Sequence, residues 1–105
     1  MYLFNTTFQV DDAIASDFID FLRDEYIKVA CSGCGFVQPL LTKVMAAQDA
    51  GTGEPSTSYA LQMRAPSRRI LDDFMTGTCP ELLRLISDRW GMRVLFFSSV
   101  LEIMK

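Results

Sequence analysis

The sequence predicts an α+β domain of four strands and two helices. Three observations carry that expectation: an alternating apolar pattern over the first ten positions, two stretches with apolar residues at helical spacing, and further strand-like stretches around residues 40–47, 58–64 and 93–103. At 105 residues, half of them apolar, the chain has room for one core and is too hydrophobic to be disordered, so a single domain over 1–105 is expected.

From Tyr2 to Val10 the residues Tyr2, Phe4, Thr6, Phe8 and Val10 point one way and Leu3, Asn5, Thr7 and Gln9 the other, the period of two that defines a strand. Asp11 and Asp12 offer capping oxygens and favourable charge at the start of a helix. Its buried stripe is expected to be Ile14, Phe18, Phe21, Leu22, Tyr26 and Val29, ending near Cys31 where Gly33 and Gly35 can adopt left-handed conformations. A second strand is expected from about Leu40 to Ala47, with Pro39 marking an edge or a strand entrance. Gln48–Thr57, rich in glycine and containing Pro55, reads as a long connection to a third strand over Ser58–Arg64. There Tyr59, Leu61 and Met63 alternate against Ser58, Ala60, Gln62 and Arg64.

Pro66 fits a first helical turn, and Ile70, Leu71, Phe74 and Met75 follow at helical spacing as far as Gly77. Thr78 and Glu81 have capping-box spacing around Pro80, so the second helix is expected to break near Gly77 and restart. Leu82, Leu83, Leu85, Ile86 and Trp90 supply the restarted stripe, and Gly91 ends it. The last strand, Arg93 to about Ile103, is apolar on both faces at Val94–Phe97. The order βαββαβ in one domain favours a ferredoxin-like, split arrangement: a four-stranded antiparallel sheet with helices on one face.

Two helices leave the other face of such a sheet open, and that face is where function is expected. Asn5, Thr7, Gln9, Ser58, Ala60, Gln62 and Arg64 fall on it, joined by either Phe96 and Ser98 or Phe97 and Ser99. This mixture of apolar and polar groups suggests a homodimer formed sheet to sheet. Asn5, Thr7, Gln62 and Arg64 then either hydrogen-bond across a wet interface or line a pocket for a small-molecule ligand or protein partner.

Other chemistry is narrowed by composition. No histidine is present, so His-dependent catalysis and His-ligated metals or haem are excluded, and no catalytic residue, metal or cofactor is expected. A net charge of −3, with basic residues scattered, disfavours nucleic acid. Asp11, Asp12, Asp17 and Asp20 interrupt the N-terminal third, no apolar run is long enough to span a membrane, and no secretory leader is evident. With an odd number of cysteines, a cytoplasmic setting is the expectation. Cys31-Ser32-Gly33-Cys34 has CxxC spacing, but it follows a helix and so meets the negative end of the dipole, which disfavours a thiolate. Cys79 gives a third thiol where a structural zinc site takes four ligands. Gly51-Thr52-Gly53 lacks the context of a phosphate loop.

The segments Tyr2-Leu3-Phe4-Asn5-Thr6-Thr7-Phe8, Asp24-Glu25-Tyr26-Ile27, Tyr59-Ala60-Leu61-Gln62 and Pro80-Glu81-Leu82-Leu83 resemble a family of small uncharacterised bacterial proteins, a domain of unknown function common in the Bacteroidetes. The resemblance implies a ferredoxin-like fold similar to dimeric α/β-barrel proteins. It brings no established activity, and the three cysteines lie outside it. Because barrels of that shape include small monooxygenases, a cofactor-independent oxygenase acting on an aromatic substrate beside Phe96 or Phe97 is the alternative to a non-enzymatic binding module.

Overall fold

The computed structural model describes residues 1–45 and 55–104. Most of the connection expected at Gln48–Thr57, with Gly51-Thr52-Gly53, lies outside the described residues, as do residues 46 and 47 of the expected second strand. β1 (Tyr2–Asp11), β2 (Val37–Lys43), β3 (Ser56–Ala65) and β4 (Val94–Glu102) form one antiparallel sheet in the order β2-β3-β1-β4. Two helical rods cover one face. The first is a 3-10 turn (Asp12–Ile14), α1 (Ala15–Phe21) and π turns at Leu22–Tyr26 and Val29–Gly33; the second is α2 (Arg68–Asp73), a π turn (Phe74–Thr78) and α3 (Cys79–Trp90).

The alternation in β1 maps directly onto burial. Phe4, Thr6, Phe8 and Val10 are buried under the rods, and Leu61, Met63 and Ala65 of β3 join them. Phe8 packs edge-on against Phe18 at 5.1 Å and Tyr26 at 6.0 Å, while Phe74 meets Phe36 at 4.9 Å and Phe4 at 5.5 Å. Such tilted contacts suit the aromatic quadrupole and add to area burial. Asp11 caps the first rod as expected, its Oδ1 accepting from the Ala13 amide at 2.9 Å.

The stripe of the first rod departs from regular helical spacing. Phe18, Leu22, Tyr26 and Ala30 are buried, whereas Val29, expected in the core, is 39% exposed. A π turn spans one residue more than an α turn, so alternating the two keeps every fourth residue in line and rotates Val29 outward. The rod ends on Gly35 at φ +93°, where the Phe36 amide bonds back to the Ala30 carbonyl; Gly33 does not take the left-handed region. A Cβ at Gly35 would sit 3.1 Å from Ile70 Cδ1. Gly35→Ala is therefore expected to destabilise the fold by about 1–3 kcal/mol, read as a lower urea midpoint. An unchanged midpoint would show that the turn relaxes at no cost.

Three features of the second rod correct the sequence reading. Pro66 precedes the rod, and Ser67 is its cap, with Oγ accepting from the Ile70 amide at 3.2 Å. The interruption expected near Gly77 is a π turn that divides α2 from α3 without a fresh start: Thr78 is helical at φ −73° and makes no side-chain cap, so no capping box forms with Glu81. Pro80 explains it, since in a regular helix its ring would press on the Thr76 carbonyl. The wider turn just before it, closed by the Cys79 amide on the Phe74 carbonyl, relieves that contact. Finally, Leu85 is 53% exposed, because it lies about 100° around the helix from buried Ile86; Met75 of the π turn is exposed as well.

The two sheet edges differ. β2 begins at Val37, and its pairing with β3 shifts between Val37 and Leu40, around Gln38 at φ +52° and Pro39; both features blunt an edge. β4 has no proline or bulge and carries no charged side chain from Val94 to Leu101.

Candidate functional site

On the face away from the rods, the register brings the four expected site residues together. Gln62 lies directly across from Asn5, Arg64 across from Leu3, and Ala60 across from Thr7. Asn5 and Thr7 are next but one in β1, so all four side chains share this face, and all are partly buried. On the other flank of β1, Leu101, Ser99 and Phe97 stand opposite Leu3, Asn5 and Thr7. β2 sets Val37 beside Arg64 and Leu40 beside Gln62.

The parity of β4, which the sequence left undecided, follows from one hydrogen bond. Thr6 Oγ1 and Ser98 Oγ lie 2.8 Å apart on the covered face, which places Phe96 beneath the rods against Phe8 and turns Phe97 and Ser99 to the open face. The result is a polar strip over the inner strands, Asn5, Thr7, Gln9, Ser58 and Gln62, bordered by exposed apolar side chains of both outer strands. Phe97 is 64% exposed, Leu40 54%, Leu101 48% and Leu95 47%. Sequence reasoning found the strip and missed Leu40, Leu95 and Leu101 as its borders.

Below the sheet is a small buried polar cluster. The Tyr26 hydroxyl is buried and finds no hydrogen-bond partner of ordinary geometry among the described residues, although the Thr6 and Cys79 side chains are its neighbours. Burial, reinforced by Cys79, raises its pKa far above the usual tyrosine range. Its proton is held more tightly in the folded than in the unfolded chain. That stability is complete below the ordinary tyrosine pKa of about 10 and is lost as pH rises above it. Wild-type stability is expected to fall by about 1.4 kcal/mol per pH unit more steeply above about pH 10 than that of Tyr26→Phe, in urea titrations. At neutral pH the variant should match the wild type or exceed it by about 1 kcal/mol, since it removes an unpaired buried donor. Equal alkaline slopes would show that Tyr26 ionises freely in the fold.

The cysteines are free thiols. Cys31 lies in the last π turn of the first rod, where burial and then Cys34 raise its pKa, and burial also raises that of Cys79. Cys34 Sγ approaches Thr78 Oγ1 at 3.5 Å, tying the end of one rod to the π turn of the other. Raised thiol pKa values oppose nucleophilic chemistry at neutral pH. Among the described residues, no group of three or more Cys, Asp or Glu side chains is arranged to hold a metal ion. No helix among them is long and apolar enough to cross a membrane.

Three comparisons bear on this arrangement. Residues 1–104 match the model of a family described as a domain of unknown function, DUF4286. No curated protein matches. Among solved structures, two dimeric ferredoxin-like proteins from uncultured marine organisms are similar, one with TM-score 0.59 at 15% identity, covering 99% of this chain and 96% of its own. The other has TM-score 0.66 at 7% identity, covering 100% and 96%. HapK from Hahella chejuensis is similar at TM-score 0.67 and 14% identity, with 99% and 93% covered. These likenesses show the α+β, ferredoxin-like fold.

Proposed function

Since the chain belongs to the DUF4286 family, a domain of unknown function, its own surface has to supply the reading, and we propose a homodimeric module that binds a small ligand or protein partner between two paired sheets. The observation that carries it is the open face itself: Leu40, Leu95, Phe97 and Leu101 remain exposed around a strip of polar side chains. Each of these apolar groups is about half exposed, so burying the remainder contributes about 1 kcal/mol, and a twofold pairing buries each of them twice. Face-to-face sheets place the apolar borders in contact and enclose the strip, so that Asn5, Thr7, Gln62 and Arg64 from both copies converge on whatever occupies the space between. The two marine neighbours are described as dimeric, which supports the assembly.

The rest of the reading follows from composition. A single domain over residues 1–105 is supported by a family match to 1–104. An odd number of cysteines supports a reducing, cytoplasmic setting, and a net charge of −3 opposes nucleic acid as the partner. Sedimentation velocity at micromolar concentration tests the core of it: a species of twice the chain mass of 11.8 kDa is expected, and a monomer would remove the reading.

A further inference from the structure

Where the sheet ends at the C-terminus of β1, a cleft of about 590 Å³ opens between the strands and the C-terminal end of α3. Gln9, Asp11, Ser56 and Leu95 line it from the sheet, and Trp90, Met92 and Arg93 line it from the end of α3 and the 3-10 turn (Gly91–Arg93) that follows. The fold builds this wall deliberately by chain geometry: Gly91, at φ +58°, ends α3 by a conformation that L side chains rarely adopt, and the turn then delivers Met92 and Arg93 beside the start of β4. The volume lies within the range of small-molecule sites, about 300–1,000 Å³.

The lining has a definite chemical character. Trp90 is fixed from behind, edge-on to Phe18 at 5.1 Å and to Phe21 at 5.4 Å, with the Arg89 guanidinium 4.6 Å from its ring centroid. Met92 is 84% exposed and Leu95 47%, so the apolar part of the cleft is uncovered. Among the described residues Arg93 has no hydrogen-bond or ion-pair partner, whereas its opposite charge, Asp11, has Oδ1 engaged with the Ala13 amide at 2.9 Å. Gln9 donates from Nε2 to Ser56 Oγ at 3.0 Å, which leaves its carbonyl oxygen as an acceptor. Asp11 keeps its charge and its second oxygen, so the cleft carries one anion and one cation, and Arg93, set beside a rigid indole, a thioether and a leucine side chain, is the group that an anionic ligand would meet.

We propose that this cleft binds a small aromatic carboxylate, its ring against Trp90, Met92 and Leu95 and its carboxylate on the Arg93 guanidinium. A guanidinium matches a carboxylate through two parallel N–H donors, and methionine sulfur and indole are favourable neighbours for an aromatic ring. The lining comes from one chain; Gln9 and Leu95 belong also to the open face that sheet pairing would cover, so the ligand's ring rests chiefly on Trp90 and Met92.

Trp90 is the only tryptophan of the protein, so its intrinsic fluorescence reports the cleft directly. The test is a fluorescence titration of the full chain with phenylacetate, with phenylacetamide as the neutral analogue and phenethylamine as the cationic one. Phenylacetate is expected to give a saturable change. Phenylacetamide and phenethylamine should bind about tenfold more weakly or worse, and Arg93→Gln should weaken phenylacetate binding by a similar factor. Arg93 is exposed, and far-ultraviolet circular dichroism establishes whether the variant is folded. Should it not fold, the comparison of the three ligands on the wild type decides alone. Absence of saturation with phenylacetate, equal or tighter binding of phenethylamine or phenylacetamide, or undiminished binding to folded Arg93→Gln would each overturn the proposal.

Discussion

Phe97→Glu is expected to convert the protein from dimer to monomer, raising the dissociation constant by about a thousandfold or more while leaving the circular dichroism spectrum unchanged. Phe97 is the most exposed of the apolar side chains bordering the strip, and Thr7 is its cross-strand neighbour. In a twofold pairing the substitution places two carboxylates in the interface, each without a cation except Arg64, which stands two rows away across β1. Desolvating an unpaired charge costs several kcal/mol per ion, and each 1.4 kcal/mol is tenfold in affinity. Within one chain the same position is open to water, so monomer stability should change by less than about 1 kcal/mol. Sedimentation velocity across a concentration series reads the shift. A variant that remains dimeric at the wild-type midpoint would show that the sheets do not meet through this face, and Leu85→Glu, on an exposed position of the helical side, is the control that should stay dimeric.

What the amino-acid pattern reveals about this face depends on how many ways each strand could be turned. In β1 the contrast between Phe4, Phe8 and Val10 on one side and Asn5, Thr7 and Gln9 on the other leaves a single orientation, because a slip of one residue would bury three polar groups. β3 is equally determined by Leu61 and Met63 against Gln62 and Arg64. β4 is not: with Val94, Leu95, Phe96 and Phe97 in succession, both orientations bury the same kind of surface. Its parity is decided by a tertiary partner, the Thr6–Ser98 hydrogen bond, which no window of neighbouring residues contains. The π turns escape the pattern for a related reason. A constant helical angle assigns Val29 and Met75 to the core, yet wider turns at Leu22–Tyr26, Val29–Gly33 and Phe74–Thr78 re-aim the rods, and only Pro80 betrays one of them in advance. The cleft at Trp90 and Arg93 joins the end of α3 to the far ends of β1 and β3, so its residues come together only once the sheet order is known.

Phe8→Ala should remove about 3–5 kcal/mol of folding stability, a loss of a different kind from that at Phe97. Phe8 is fully buried at the middle of β1, an inner strand of the sheet, with Tyr59 across from it in β3 and Phe96 in β4. Its ring also meets Phe18 and Tyr26 of the first rod, so truncation opens a cavity bounded by sheet and helix together, where neither layer can collapse without breaking pairs in the other. Domains of this size are held by roughly 5–15 kcal/mol, so the variant retains a fraction of the original stability and its urea midpoint should fall by half or so. Phe8→Leu keeps most of the volume and should cost less than about 1.5 kcal/mol. The two phenylalanines are thereby separable by protein concentration. The loss at Phe8 belongs to each chain and persists at any dilution, while that at Phe97 acts through association and disappears once the wild type is itself diluted to monomers. A concentration-independent defect at Phe97, or a Phe8→Ala midpoint within error of wild type, would contradict the assignment of these rings to opposite faces of one sheet.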